Sequence, residues 1–248
     1  MKRIVRITGA LLFAFPLLPA SDPVAPDVAA FDRILKGYVL DNGTVKYAAL
    51  RSGLDPLTSF VQHIGSVSPD SHPSLFPSRA QKLAYWLNTY NALVLWAMAK
   101  EFPEKKDRLN SLIGRYRFFM MTKFKTGRRD FSLNDIETNE IRKQFQEPRI
   151  HFAIVCASRS CPWLSRDAFT GEHLEEQLEA RTRLFFNQTR NVRFNSAQRE
   201  LSLSQIFEWY KQDFGDSTEK VLAFIGKYRS VEGKWNLRYI EYDWRIND

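Results

Sequence analysis

The sequence predicts an α+β fold: a single domain with a buried central helix packed on a small mixed or antiparallel sheet. Three observations carry this expectation. Residues 81–100, "QKLAYWLNTYNALVLWAMAK", are apolar nearly all round, as a helix enclosed by the core would be. Short strand-like runs lie at 115–133, 150–156, 191–204 and 236–244. Helical and strand-like stretches are mixed without the regular alternation of a parallel sheet. The chain of 248 residues is long enough to bury one sizeable core, and no Pro/Gly/Ser-rich linker divides it.

Taken in order, residues 1–20 carry the pattern of a secretory signal peptide. Lys2, Arg3 and Arg6 precede an apolar stretch from Ala10 to Leu18, and the small Ala20 comes before a polar segment. That apolar run is too short to span a bilayer comfortably. The expected mature protein is a single globular domain at 21–248, periplasmic or secreted. Loss of the segment removes three cations and no acid, so the net charge falls from +8 to +5. So mild a surplus is not the signature of a dedicated nucleic-acid binder, and no nucleic-acid partner is expected.

Residues 28–40 have helical spacing, with Phe31, Ile34, Leu35 and Val39 on one face. Asn42-Gly43 is a turn signal, and 66–79 reads as a loop between helices. Residues 115–133 are expected to form a hairpin around Thr126-Gly127. Ser132 with Asp135 is a capping-box signal for a helix to about Gln144. Residues 150–156 read as a buried strand, and Thr170 is the expected cap of a helix ending near Phe186. A second hairpin at 191–204, helices at 204–214 and 218–228 and a strand at 236–244 complete the expected fold.

The chemistry concentrates in "RIHFAIVCASRSCPWL" (149–164), which holds both cysteines and one of the four histidines. An imidazole beside a thiol stabilises the thiolate, so His151 as base and Cys156 as nucleophile would suit thiol catalysis. Five residues of straight strand would set the two roughly 16 Å apart on opposite faces, so pairing requires a bend. A Cys156–Cys161 disulfide is the competing expectation. It would close a six-residue loop worth roughly 2 kcal/mol in a compartment that permits it. Two reduced, buried cysteines are a third reading. The spacing is not that of a Cys-X-X-Cys redox pair, and a zinc site would lack an evident fourth ligand. No metal and no cofactor are therefore expected.

Asn88 and Asn91, three apart, share a face of the 81–100 helix and need partners if buried. They are candidates either for holding a neighbouring loop or for binding beside His151. Glu137 is a candidate binding or acid–base carboxylate, or a simple helix-dipole charge. The cationic stretch from Arg115 to Arg129, interleaved with Phe118, Phe119 and Phe124, is either a solvated face or a contact for an anionic surface. His63, His72 and His173 carry no expected role.

Four stretches, "LAYWLNTYNAL" (83–93), "FSLNDIE" (131–137), "EPRIHFAIVCASRSCPWL" (147–164) and "LSQIFEWYKQDFG" (203–215), resemble in order the bacterial and plant family named for domain of unknown function 547. The resemblance runs over about 31–228 and implies no assigned activity. Thr138 stands where the family pattern has a histidine. A looser similarity is to papain- and transglutaminase-like folds, which implies a papain-like core with Asn88 or Asn91 on the helix and His151 on the following strand. The expected function is a thiol-dependent acyl hydrolase or transferase. The alternative is a non-catalytic envelope module recognising a peptide, glycan or anionic surface, with a monomer expected in either case.

Overall fold

The computed structural model describes residues 22–248, so the expected signal peptide at 1–20 lies outside the described residues. Three helices open the chain: α1 (Val28–Tyr38), α2 (Tyr47–Ser52) and α3 (Asp55–Ser66). They pack around α4 (Arg79–Lys100), which starts at a reciprocal cap between Ser78 and Gln81. Sixteen of the 22 residues of α4 are buried, which makes this helix the hub of the core. Trp86 on α4 meets Phe131 edge-on at 5.8 Å, so the central helix packs on the small hairpin of β1 (Phe124–Thr126) and β2 (Arg129–Phe131). The fold is α+β, as expected.

The hairpin is shorter than the sequence suggested. Residues 112–121 are helical: α5 (Leu112–Tyr116) runs on as a π turn over Arg117–Met121. The deciding signal is Ser111, whose side chain accepts a hydrogen bond from the Gly114 N–H and caps the helix. After the hairpin, Ser132 and Asp135 cap α6 (Leu133–Asp135) as expected. That helix widens into a π segment over Ile136–Arg142 before α7 (Lys143–Phe145). Further on, α8 (Leu174–Phe186) starts after His173, whose N–H bonds Thr170 Oγ1, so Thr170 sits just before the helix.

Residues 150–156 are not a strand, which corrects the expectation for this run. Pro148 presets the first turn of a 3₁₀ helix over Pro148–Phe152, and Glu147 caps it by accepting from the Arg149 N–H. The backbone after it is irregular, and its polar groups are met by a side chain instead of a neighbouring strand. Asn91 Nδ2 donates to the Ala153 carbonyl at 2.9 Å, and Asn91 Oδ1 accepts from the Val155 N–H at 3.0 Å. An apolar run of this length fits a buried strand and a buried loop equally well, because both bury every side chain.

The C-terminal third forms a mixed sheet. β3 (Val192–Asn195) pairs antiparallel with β4 (Glu200–Ser204), and β5 (Asn236–Ile240) pairs parallel on the other side of β4. Between them lie α9 (Ile206–Trp209) and α10 (Thr218–Gly226). These elements bury a second apolar cluster rich in phenylalanine, including Phe152, Phe185, Phe186, Phe207, Phe214 and Phe224. The cluster around α4 is separate, and Cys156 and Trp244 pack against both. The seam between two cores therefore runs through the cysteine loop.

Asn91→Ala would leave a buried carbonyl and a buried N–H unpaired at once. It is expected to lower the unfolding free energy by roughly 2–4 kcal/mol, read as a lower urea midpoint at unchanged m-value.

Candidate functional site

At this seam lies a pocket of about 220 Å³. Its walls include Tyr90 from α4, Glu137 from the π segment, His151, both cysteines, and the aromatic group Trp209, Tyr210, Tyr242 and Trp244. They arrive from five separate parts of the chain, and the local geometry explains how.

His151 sits on the 3₁₀ turn, buried, with Nε2 2.7 Å from Asp213 Oδ2. Its ring stacks on Tyr210 at 4.0 Å between centroids. Asp213 also accepts two bonds from Arg142, at 2.6 Å from Nε and 3.0 Å from Nη2. The Arg142 guanidinium lies 4.9 Å over the Tyr210 ring. Burial alone would raise the Asp213 pKa, but the bonds from His151 and Arg142 outweigh it and hold the carboxyl well below the usual range. Asp213 is thus a fixed anion that orients the imidazole. Only Nε2 of His151 has a protein partner among the described residues, so Nδ1 is left for the pocket.

Glu137 and Arg142 are five residues apart in the π segment, a turn whose bonds run from i to i+5. That brings both toward the site. The hydroxyls of Tyr90 and Tyr210 face the Glu137 carboxylate. Burial first, and that negative charge second, push both phenols far up, so they stay protonated.

Cys156 and Cys161 are bonded to each other, with Cα atoms 6.1 Å apart, inside the normal disulfide range. Ala157 turns the intervening loop in the left-handed conformation, with φ 61°. The loop is tied down on both sides: Arg190 Nη2 donates to the Cys161 carbonyl at 2.7 Å, and the Arg159 N–H donates to the Arg245 carbonyl at 2.8 Å. The Tyr242 hydroxyl lies 3.3 Å from Cys156 Sγ and 3.4 Å from Cys161 Sγ. Burial raises the Tyr242 pKa, so this phenol remains a donor to sulfur.

Of the residues singled out from sequence, His151, Cys156, Cys161 and Glu137 line one pocket. Asn91 holds the 153–155 backbone through its carboxamide. Asn88 does the same for another loop, donating to the Phe169 carbonyl at 2.7 Å and accepting from its N–H at 2.9 Å. Both asparagines spend their amides on backbone, and neither bonds His151. Asp213, Arg142, Tyr90, Tyr210 and Tyr242 were not anticipated. A signal for three of them was present: Tyr90 falls in "LAYWLNTYNAL", and Tyr210 and Asp213 in "LSQIFEWYKQDFG", stretches set apart by their family resemblance. Among the described residues, no group of three or more His, Cys, Asp or Glu could hold a metal ion.

Residues 75–186 match the family described as "Protein of unknown function, DUF547". The match supports assigning that stretch to this family. The DUF547 match is narrower than the resemblance at 31–228, and it contains Tyr90, Glu137, His151 and both cysteines. Asp213, Tyr210 and Tyr242 lie beyond it, so the group that orients His151 comes from the C-terminal part of the chain. No curated protein and no solved structure matches the chain significantly.

Because its pKa is lower in the folded than in the unfolded protein, Asp213 contributes stability above about pH 4, lost progressively as pH falls below that. Asp213→Asn should therefore cost on the order of 1–3 kcal/mol at pH 7, since it weakens the pairing of Arg142 and His151. The gap to the wild type should narrow at pH 3. Urea unfolding of both proteins at the two pH values measures this.

Proposed function

We propose that the pocket at His151 is a thiol-dependent acyl hydrolase or transferase site of an exported protein, competent once the Cys156–Cys161 pair is reduced. What carries the reading is one juxtaposition: a carboxylate-held imidazole with a free nitrogen shares a pocket with the cysteine pair. Cys156 is the more exposed of the two and has the Ser158 and Tyr242 hydroxyls at 3.1 and 3.3 Å. Hydroxyl donors at that range favour a thiolate, as an imidazolium in the same pocket would.

In the proposed sequence a reducing dithiol opens the disulfide and is itself oxidised, leaving two thiols. His151 takes the Cys156 proton, and the thiolate adds to the substrate carbonyl. The leaving group departs with the proton from His151, giving a thioester on Cys156. Water or an acceptor nucleophile then attacks this thioester, with His151 again as base, and the Cys156 thiol is regenerated. Asp213 keeps the ring in place throughout.

A second reading is favoured by the closed disulfide and the aromatic walls: a binding module whose pocket holds a peptide or glycan without turning it over. Alkylation separates the two without any substrate. In Cys161→Ser, Cys156 is a lone thiol, and its iodoacetamide rate should stay high well below pH 8.5, the ordinary thiol midpoint at about that value. His151→Ala should return the rate profile to that midpoint. A wild-type-like thiol at Cys156, indifferent to His151, would overturn the catalytic reading and leave the binding module.

A further inference from the structure

Outside the pocket, the most unusual surface is the helix at 112–121. Leu112, Ile113, Tyr116, Met120 and Met121 are 77, 67, 57, 40 and 59% exposed. Five large apolar side chains on one short helical run are a contiguous patch rather than scattered exposure. The π turn contributes to this arrangement. Thr122 N–H bonds the Arg117 carbonyl, an i to i+5 bond, and the wider turn brings Met120 and Met121 back toward the side of Leu112 and Ile113. The opposite side is anchored, with Phe118 buried and the Arg108 guanidinium 5.0 Å over its ring.

The surroundings are cationic. Residues 100–130 hold ten Lys and Arg against four Asp and Glu. Lys106, Arg117, Lys125 and Arg128 have no acidic partner among the described residues, while Glu101 and Glu104 are engaged by Lys105, Arg108 and Arg51. An apolar patch set in a stretch of chain with unpaired cations is the composition of a surface that enters the headgroup layer of an anionic bilayer. Among the described residues no helix is long and apolar enough to cross a membrane.

We propose that the outer face of Leu112–Met121 seats the protein on an anionic lipid surface, with the apolar side chains inserted and the flanking Lys and Arg on lipid phosphates. The same helix forms part of the pocket's wall. Phe119 lines the pocket, and the Arg115 guanidinium lies 4.3 Å over Trp244, which also lines it. Trp209, 44% exposed, stacks on Trp244 beside it. A docked molecule therefore holds this wall of the pocket against the interface, where an amphiphilic ligand can pass from lipid to pocket. The docking does not depend on His151 being catalytic.

Co-sedimentation of the full chain with vesicles of phosphatidylcholine alone, or of equal parts phosphatidylcholine and phosphatidylglycerol, tests this. Binding is expected to the mixed vesicles at low salt and to weaken at physiological salt. Amide protection should rise over 112–122 in hydrogen exchange. Ile113→Ser with Met121→Ser removes apolar contact without adding charge and should weaken binding about tenfold or more. Arg117→Gln with Arg128→Gln should weaken it and flatten the salt dependence. Thermal melting of each variant should match the wild type, since all four side chains are exposed. Three results would each overturn the proposal: no binding to the mixed vesicles at low salt, serine variants that bind like the wild type, or a dimer that the serine substitutions dissolve.

Discussion

The site depends on one buried carboxamide. Asn91 points from the middle of the most enclosed helix into a segment that has no strand partner, and satisfies one N–H and one carbonyl there. Without it those groups would be buried and unpaired, a cost large enough to drive the segment toward water. With it, the irregular 153–156 backbone becomes as fixed as a strand while staying free of a strand's geometry. That freedom has a consequence. A strand would have set His151 and Cys156 on opposite faces, whereas the 3₁₀ turn and the loop bring both to the wall of the same pocket.

The second constraint is that the pocket occupies a boundary. One apolar cluster is organised by α4, the other by the mixed sheet and its phenylalanines, and the cysteine loop touches both. Groups arriving from the two sides meet across this seam: Tyr90 and Glu137 from the first, Tyr210, Asp213 and Tyr242 from the second. The C-terminal tail closes the arrangement, since the 158–160 backbone bonds to residues 243–246. Joining elements so far apart in sequence makes the site a product of the whole fold and not of the 149–164 stretch alone.

Much of the fold was legible because it follows from periodicity and capping. The central helix, the Ser132 cap, the tight hairpin at Thr126-Gly127 and the helix ending at Phe186 all left local signals. Residues 150–156 did not, because complete burial erases the pattern that separates strand from loop. The 112–121 helix was hidden by charges and aromatics that alternate in strand fashion, with Ser111 the overlooked clue. The π segment is the subtler case. On an α-helix, residues 137 and 142 fall on different faces, so no helical reading would bring Arg142 to the histidine's partner beside Glu137. Asp213 was missed for a different reason: it lies 62 residues from His151, and only tertiary folding pairs them.

What the geometry divides most clearly is fixed groups from free ones. Asp213 is fully occupied by Arg142 and His151, so its charge is structural and is not offered to a ligand. Arg142 is likewise consumed, held by Asp213 and lying over Tyr210. Glu137 has no ion-pair partner among the described residues, and the two phenols facing it are kept protonated. A ligand in this pocket therefore meets one uncommitted imidazole nitrogen, one carboxylate beside hydroxyl donors, and aromatic walls around them. Such a set can hold an apolar group against the rings while a polar end is placed between the imidazole and the cysteine pair. The rigid Arg142–Asp213 couple below keeps the imidazole aligned whether the sulfurs are joined or apart.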